Sequence, residues 1–511
     1  MNHWMIFPIL LPAVVAPLIV LAIRNDIVLA RIFSIGCSVA LLMVGGYQFG
    51  LASDGVIRTY AIGNWSPPFG IVLVLDRLSA TMLLLTAVIG LFVLLYSITG
   101  WDNRGRHFHP LFQFQLMGLN GAFLTGDLFN LFVFFEVLLI ASYGLMVHGG
   151  GGATRIRAGI QYVVMNLTGS SLFLIAIALI YSATGTLNMA DLSRKIHETP
   201  AATQAILSVG GALLFIVFAL KSALFPLHLW LPGTYANAPG PAAALFSIMT
   251  KVGVYSIVRL FTLSSVGLEW VLPAALATLM IGSIGVLASR SLGQQASFAT
   301  LASMGTLFVA ISGSNSMALS AGLYYLIHST LCVAGIFLIV DLVIVKRPGF
   351  GDALVESPKF PYQGIIACMF FAFAVALSGV PPLSGFIGKI LVLKSTQGFP
   401  NWHWIWLILF VTSFVGLVGM ARSGSLLFWK CNTTQLDVAL FDSNNPSPQV
   451  NSIPSPVASS IVLQSVAIGC FFALIAMLSV FASPVSVFMK ETAEQLYDSQ
   501  KYVDSVLGKD K

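Results

Sequence analysis

The chain has 511 residues, of which 57% are apolar, and its 25 basic and 19 acidic residues together make up only 9%. A soluble domain carries roughly a quarter charged residues, so a soluble globular protein is excluded. Disorder requires low hydrophobicity and is excluded as well. The apolar runs continue over about 20 residues without polar alternation, which excludes a membrane β-barrel. The sequence therefore predicts an all-α polytopic membrane protein.

The net charge of +6 does not indicate a nucleic-acid partner, because the basic residues occur singly or in pairs between apolar runs. A small basic excess is typical of membrane proteins with positive cytoplasmic loops. The five cysteines show no C-x-x-C pair and no metal-ligand spacing. They are Cys37, Cys332, Cys368, Cys431 and Cys470. We expect neither a disulfide nor a metal site.

About fourteen apolar segments follow one another with short connections. They lie near 4–23, 28–50, 71–99, 109–125, 128–148, 160–183, 203–230, 241–263, 270–289, 295–312, 317–344, 363–394, 403–429 and 457–483. Backbone groups in lipid must bond within the protein, so these segments are predicted to be transmembrane helices. The first lacks a basic leader and a small-residue cleavage site, and is interpreted as a span, not a signal peptide. No linker divides the chain, which predicts a single transmembrane domain over 1–511.

The orientation follows from the basic residues between the spans. Loops that follow odd-numbered spans contain twelve lysines and arginines, Arg24 among them, whereas loops that follow even-numbered spans contain five. Odd loops are therefore predicted to be cytoplasmic, with both termini outside. The four lysines of the charged C-terminal tail lie on the opposite side from this expectation, and the tail is predicted to form a short amphipathic helix.

Two spans contain prolines that interrupt a helix. The seventh reads FALKSALFPLHLWLP, with Pro226 and Pro232, and the twelfth reads ALSGVPPLSGFIGKILVLK, with Pro381 and Pro382. Broken helices in corresponding halves of a transporter indicate an ion site near the midplane. Their spacing of five spans predicts two five-helix repeats, spans 4–8 and 9–13, inverted in the membrane. The alternative is a pair of ordinary proline kinks.

Four charged residues lie deep within apolar runs, where a charge costs a few kcal/mol on insertion scales. They are Glu136, Lys221, Lys251 and Lys389. A static ion pair between helices would explain them structurally. Alternatively, a buried lysine whose distance from a carboxylate changes can capture and release a proton. Arginine stays charged and could not do so. That all these buried cations are lysines favours a titrating role.

Histidines extend this pattern, because imidazole titrates near neutral pH. His328 lies within the eleventh apolar segment. His228 follows Lys221 by seven residues and shares its face if the helix continues through Pro226. Both are candidates for proton transfer, although a histidine in a helix is often only hydrogen-bonded to a neighbour.

Further polar residues cluster in the eighth and third spans. Ser247, Lys251 and Tyr255 recur every four residues and form a polar stripe that could hold water. Thr250 is a weaker candidate in the same segment. Asp76 and Arg77, at the start of the third span, are equally compatible with an interfacial ion pair and with a functional one.

Three motifs in order resemble the antiporter-like proton-channel family. They are FFEVLLIASYGLMV, ALKSALFPLHLWLPGTYANAPGPAAALFSIMTKVGVYSIVRL and GVPPLSGFIGKILVLK. That family includes the A-type and D-type subunits of Mrp cation/proton antiporters and the large membrane subunits of respiratory complex I. The form WLPGTYANAPGP, with Tyr235, is most similar to the D-type Mrp subunits. The resemblance is strongest over 110–425, which leaves peripheral helices at 1–109 and 426–485 and a tail at 486–511.

The resemblance implies a role for each buried group. Glu136 matches the fifth-helix glutamate that modulates the seventh-helix lysine, here Lys221. Lys251, His328 and Lys389 match the proton-carrying residues of the eighth, eleventh and twelfth helices. Together with His228 and Tyr255 they make up the predicted relay. The chain departs from the family where Gly293 and Gln294 replace a charged motif before the tenth span, and where Cys332 replaces a lysine.

The function implied is proton translocation within a multisubunit Na⁺ or K⁺/proton antiporter of the bacterial inner membrane. Such a protein is a transporter and not an enzyme, needs no cofactor, and has other hydrophobic subunits and the lipid bilayer as partners. Two alternatives stay open. One is a proton-pumping subunit of a complex I-like oxidoreductase or membrane-bound hydrogenase, and the other is a scaffold whose buried charges only hold helices together.

Overall fold

The computed structural model describes residues 3–508, except positions 24, 151, 199, 265 and 431–459. Four residues used in the predictions above therefore lie outside the described residues. They are Arg24, Cys431, and the tail lysines Lys509 and Lys511.

The described residues form twenty α-helices and one antiparallel β-hairpin. The first ten helices are α1 (Phe7–Leu18), α2 (Ile27–Ala52), α3 (Arg77–Ser97), α4 (Phe108–Leu124), α5 (Leu128–Val147), α6 (Gly152–Thr184), α7 (Met189–Glu198), α8 (Ala201–Lys221), α9 (Trp230–Asn237) and α10 (Gly240–Phe246). The other ten are α11 (Met249–Leu263), α12 (Leu272–Ala288), α13 (Leu292–Ile311), α14 (Ser316–Lys346), α15 (Gln363–Ser378), α16 (Ser384–Ser395), α17 (Trp402–Gly424), α18 (Ser460–Val480), α19 (Ala482–Tyr497) and α20 (Ser499–Leu507). The hairpin pairs β1 (Arg58–Ala61) with β2 (Val72–Leu75) between α2 and α3.

The helical, multi-pass architecture predicted from the sequence is confirmed. Ten helices of the described part are long and apolar enough to cross a membrane, with α10 and α11 together forming one of them. Each predicted segment overlaps a described helix, and those outside the ten fall on shorter or more polar helices, namely α1, α4, α13 and the pair α15 and α16. The count of fourteen spans and the inverted repeats stay predictions.

Short polar side chains begin several of these helices. In each case the side chain accepts a hydrogen bond from a backbone N–H of the first turn, which would otherwise have no partner. The capping residues are Asp26, Asp76, Asp127, Ser291 and Asn315. Several acidic residues at or near the ends of the predicted apolar segments therefore cap the first turn of a helix.

Both proline-containing spans are interrupted. Helix α8 ends at Lys221, and the chain runs irregularly through 222–229, which include Pro226, before α9 begins. Helix α15 ends at Ser378, and the proline pair follows before α16 begins at Ser384. Each break creates two helix ends inside the protein. Backbone carbonyls at the end of the first helix and N–H groups at the start of the second lack helical partners.

The first break corrects the expectation for His228. Because α8 stops at Lys221, the helix does not continue through Pro226, and His228 is not placed on the face of Lys221 by helical periodicity. Its ring instead stacks on Phe225, and its buried Nδ1 contacts no hydrogen-bond partner in the described structure.

The long helix α14 is the centre of the second half. It packs against α10, α13, α15, α16, α18 and α19. Beside it, α12 and α13 approach each other closely because each helix has a glycine at the contact. A side chain at Gly305 of α13 would overlap Leu279, and one at Gly282 of α12 would overlap Ala302. Such contacts between small residues are typical of helices packed in membranes.

The C-terminal tail forms two helices, α19 and α20, and not the single short helix expected. Helix α19 packs on α14, while α20 packs on α7 and β1. Glu491 forms an ion pair with Arg77 at 2.6 Å, and the side chain of Gln495 accepts a hydrogen bond from the backbone of Arg77. The tail is therefore anchored to the hairpin end of the protein.

Candidate functional site

Glu136 lies on α5 and faces α6. It is half-buried, and its carboxylate accepts a hydrogen bond from the hydroxyl of Ser170. Asp127 begins the same helix by capping its first turn. Because the helix begins after Asp127, Glu136 lies about one-third to one-half of the way along α5, as the sequence indicates.

Lys221 is the last residue of α8 and is only 6% exposed. Its Nζ donates a 2.8 Å hydrogen bond to Oδ1 of Asn166 and lies 5.8 Å from the ring centre of Phe135. A cation at this place is favoured by the carbonyls at the C-terminal end of α8. The surroundings of this amine thus consist of a buried site, one polar partner and the C-terminal end of a helix.

Glu136 and Lys221 interact without touching. Their charges are close enough to interact electrostatically, but no ion pair within 4.0 Å joins them among the described residues. Asn166 and Ser170 are four residues apart on α6 and so share one face. One contacts the lysine and the other the glutamate, which makes α6 the bridge between the two charges.

Lys251 lies on α11 and is completely buried. Its Nζ and the hydroxyl of Ser247 have no hydrogen-bond partner in the part of the chain that the structure describes. Gly253, two residues further on, packs directly against Ser222 at the break after α8. Buried polar atoms are normally hydrogen-bonded, so this region of the protein calls for water.

Tyr255 belongs to a different cluster from Lys251. Its hydroxyl donates to the carbonyl of Phe123 at 2.6 Å and accepts from Arg259 at 3.1 Å. Arg259 forms a bidentate ion pair with Asp76, with one Nη2–Oδ1 distance of 2.9 Å. Asp76 therefore pairs with Arg259 and not with Arg77, and Arg259 is buried within α11.

His328 connects α14 to the second break. Its Nδ1 lies 2.8 Å from the hydroxyl of Ser384, at the first residue of α16. The thiol of Cys332 lies 3.6 Å from Nε2, one turn further along α14, and interacts electrostatically with Lys251. Cys332, which stands where the family resemblance leads us to expect a lysine, thus lies between Lys251 and His328.

Lys389 lies on α16 beside the second break. Its Nζ donates to the carbonyl of Ser378, the last residue of α15, and to the hydroxyl of Ser413, both at 2.9 Å. It borders a cavity of about 40 Å³, which is room for one or a few waters. The lining is rich in hydroxyl groups, including Ser303 and Thr306. The amine of Lys389, like that of Lys221, therefore lies at the C-terminal end of an interrupted helix, here α15, where a cation is favoured.

The structure therefore groups the predicted residues around the two breaks. Glu136 and Lys221 lie near the first break, and His328 and Lys389 lie near the second, with Lys251 and Cys332 between them. Sequence reasoning missed the polar partners Asn166, Ser170, Ser378, Ser384 and Ser413. Sequence reasoning also missed Arg259, although a charge within the eighth apolar segment was a signal that could have identified it.

Gly293 and Gln294, which stand where the family resemblance predicts a charged motif, lie near a carboxylate from another segment. The N–H of Gly293 donates to the carboxylate of Asp352 at 2.9 Å, and a side chain at Gly293 would come within 3.0 Å of that carboxylate. Gln294 is exposed. Asp352, from the segment between α14 and α15, therefore brings a carboxylate to the start of α13, where the residues of the helix carry no charge.

Comparisons with known proteins identify the family of the chain. Residues 125–417 match the family model of the NADH:quinone oxidoreductase/Mrp antiporter transmembrane region. The chain belongs to that family. It is similar to the D subunit of a probable K⁺/H⁺ antiporter of Rhizobium meliloti, with 36% identity over 99% of this chain and 98% of the relative. It is also similar to the D subunit of the Na⁺/H⁺ antiporter of Bacillus subtilis, with 34% identity over 99% of this chain and 100% of the relative.

A solved structure shows the same family fold. A chain of the Mrp complex from Dietzia sp. DQ12-45-1b superposes with a TM-score of 0.86 at 25% identity, covering 99% of this chain and 100% of that chain. The family predicted from the three motifs is therefore confirmed.

Proposed function

We propose that the chain translocates protons as a membrane component of a multisubunit monovalent cation/proton antiporter in the bacterial inner membrane. The observation that carries this proposal is a set of three interior lysines, of which Lys221 and Lys251 are buried and Lys389 is half-buried. Among the described residues, each amine either binds neutral polar groups or has no protein partner. None of the three forms an ion pair within 4.0 Å in the described structure, which argues against static salt links. The names of the two bacterial relatives support the same function.

The proposed path joins two half-channels through the buried groups. Glu136 modulates Lys221 through the shared face of α6, and Lys221 takes up or releases the proton at the first break. Lys251 and His328 pass the proton on, and Lys389 exchanges it at the second break. Amines that bind neutral partners can change protonation without breaking an ion pair, which suits a carrier role.

The proposed partners are other hydrophobic subunits of the same complex. Large apolar side chains face outward over much of the described surface, among them Leu21, Ile140 and Trp404. Outward apolar side chains suit contact with lipid or with further membrane subunits, and the similar chain of known structure comes from a complex.

The test is cation-dependent proton movement in everted membrane vesicles that contain the complete complex. Addition of Na⁺ or K⁺ should dissipate a respiration-driven pH gradient, as reported by a fluorescent amine. Lys221→Ala should abolish this response at an unchanged membrane level. Lys394→Ala is the matched control, because Lys394 is an exposed lysine in the last turn of α16. Full transport by Lys221→Ala would falsify the carrier role, and loss of the protein from the membrane would favour a scaffold.

The second candidate function is proton pumping in a respiratory complex. The matching family model includes NADH:quinone oxidoreductase subunits, which favours this alternative. Purification of the native complex separates the two. Co-purifying iron–sulfur or flavin proteins would support the respiratory function, whereas small hydrophobic proteins alone would support the antiporter.

A further inference from the structure

A buried carboxyl group lies near the end of α14, outside the relay described above. Asp341 is 2% exposed, and its Oδ2 accepts hydrogen bonds from the Tyr96 hydroxyl and the Trp101 indole N–H, both at 2.8 Å. Both donors are neutral, and no basic group lies within 4.0 Å of this carboxyl in the described structure. A buried carboxylate without an ion pair is costly, so its presence here suggests a function.

Two arginines lie around this carboxyl group without binding it. Arg104 and Arg155 interact with Asp341 electrostatically. The guanidinium of Arg104 lies 3.7 Å from the ring centre of Trp101, and Arg155 donates to the carbonyl of Asn237 at 2.9 Å. Both arginines are half-buried; Arg104 belongs to the segment after α3 and Arg155 to the beginning of α6, and both positions were assigned to odd loops from the sequence. The carboxyl group therefore lies just beneath the surface on the odd-loop side, covered by Trp101.

A second buried carboxyl group, in the segment after α3, differs from that of Asp341 because it forms an ion pair. Asp102 is also buried, which by itself raises the pKa of its carboxyl, but hydrogen bonds from His109 and Arg31 outweigh this and lower the pKa below its usual value. Arg31 and Asp102 form an ion pair in which Nη2 lies 2.9 Å from Oδ1. Asp102 is thus held as a carboxylate, whereas the hydrogen-bond donors described for Asp341 are neutral.

Two helices lead from Asp341 toward the centre of the relay. On α14, Cys332 lies nine residues before Asp341, a rise of about 13 Å. Gly240, the first residue of α10, packs directly against Asp341, and Ser247 and Lys251 follow along that segment. Ser247 and Lys251 are the buried groups whose polar atoms have no described partner. Asp341 and Lys251 thus lie at different depths along α14 and the neighbouring span that α10 and α11 form together.

We propose that Asp341 is the proton-uptake group of the odd-loop side, which exchanges protons with solvent at Trp101 and Arg104 and with Lys251 through water near Ser247. The proposal rests on the function proposed above. A proton on the carboxyl of Asp341 leaves through water and binds the neutral amine of Lys251. The resulting carboxylate is stabilised by Tyr96 and Trp101 and by the two arginines, and it regains a proton from the solvent side. The reverse sequence releases a proton by the same groups.

The competing explanation is a structural acceptor that only anchors Tyr96 and Trp101. Asp341→Asn separates the two, because asparagine keeps an oxygen for both donors but cannot carry the proton. In everted vesicles with the complete complex, we expect at least a tenfold loss of cation-dependent proton movement at an unchanged membrane level. Glu356→Gln is the matched control, because Glu356 is an exposed carboxylate of the segment after α14. Wild-type transport by Asp341→Asn would overturn the proposal.

A second variant decides the matter if Asp341→Asn fails to assemble. Tyr96→Phe keeps the carboxyl group and removes one of its two donors. The groups that face Asp341 and carry or exchange charge are Tyr96, Arg104 and Arg155. Losing a donor to the carboxylate favours its protonated form, so the pH dependence of transport should move to higher pH. An unchanged pH profile at normal membrane level would contradict a proton-carrying Asp341.

Failure of this inference is distinguishable from failure of the proposed function. If the wild-type complex shows no cation-dependent proton movement, the proposed function fails and the inference with it. If the wild type transports and Lys221→Ala stops transport while Asp341→Asn does not, only the role of Asp341 is wrong.

Discussion

The hydrogen bond between Asn166 and Lys221 should set the pH range over which the protein transports. Asn166 Oδ1 is the only hydrogen-bond partner described for the Lys221 amine, which is 6% exposed. A hydrogen bond to a charged group contributes about 1.5–3 kcal/mol. Since 1.36 kcal/mol corresponds to one pH unit, Asn166→Leu should weaken proton binding by Lys221 roughly 10- to 150-fold. The upper pH limit of transport should therefore fall by about one to two units.

The assay is the initial rate of cation-dependent proton movement in everted vesicles, measured in steps of external and internal pH. Thr168→Val serves as the control, because Thr168 is exposed on the same helix and its hydroxyl bonds only within α6, to Val164. The control should reproduce the wild-type profile. The membrane level of each variant is measured in the same preparations, so that loss of protein is not mistaken for loss of rate.

A pH profile of Asn166→Leu that coincides with the wild-type profile at equal membrane level would refute this reasoning. It would mean that the contact does not stabilise the charged amine, or that Lys221 does not change protonation during transport. A shift in the opposite direction would equally contradict the argument, since removal of an acceptor cannot favour an ammonium group.

Two further outcomes are expected. Lys389→Ala should stop transport while Lys394→Ala, on the same helix but exposed, should not; equal activity of both would argue against a role for the cavity beside the second break. Asp76→Asn keeps an oxygen to cap α3 but leaves Arg259 buried without its counter-charge, which should cost about 3–5 kcal/mol. This loss is measured as a lower thermal midpoint of the solubilised complex, and Asp54→Asn, which removes an exposed carboxylate, should change it little; an unaltered midpoint for Asp76→Asn would contradict the assigned ion pair.

The sequence identified the charged members of the site because a charge within a long apolar run is costly and therefore conspicuous. Glu136, Lys221 and Lys389 were all found in this way. Serine and asparagine give no such signal, because a helix in lipid accommodates both by bonding them to its own backbone. Asn166 and Ser170 are recognisable as partners of the buried charges only once α6 is placed beside α5 and α8.

The ends of the helices were also predicted poorly from the sequence. Prolines indicated a break near Pro226, but the last helical residue depends on how the chain packs afterwards, and α8 stops five residues earlier. That difference removed His228 from the face of Lys221. Likewise, Arg259 lies close to the predicted end of its span, and only the contact with Asp76 shows that it is buried.

The anchoring of the C-terminal helices has a consequence for biosynthesis. The ring of Tyr502 in α20 lies 5.5 Å from the guanidinium of Arg259, whose partner Asp76 comes from near the beginning of the chain. A ribosome that synthesises this protein therefore completes both members of the ion pair long before it produces the residues that cover them. Until the final segment emerges, the charged pair can stay in contact with water, so the nascent chain meets the full desolvation penalty only when almost every other helix is already in place.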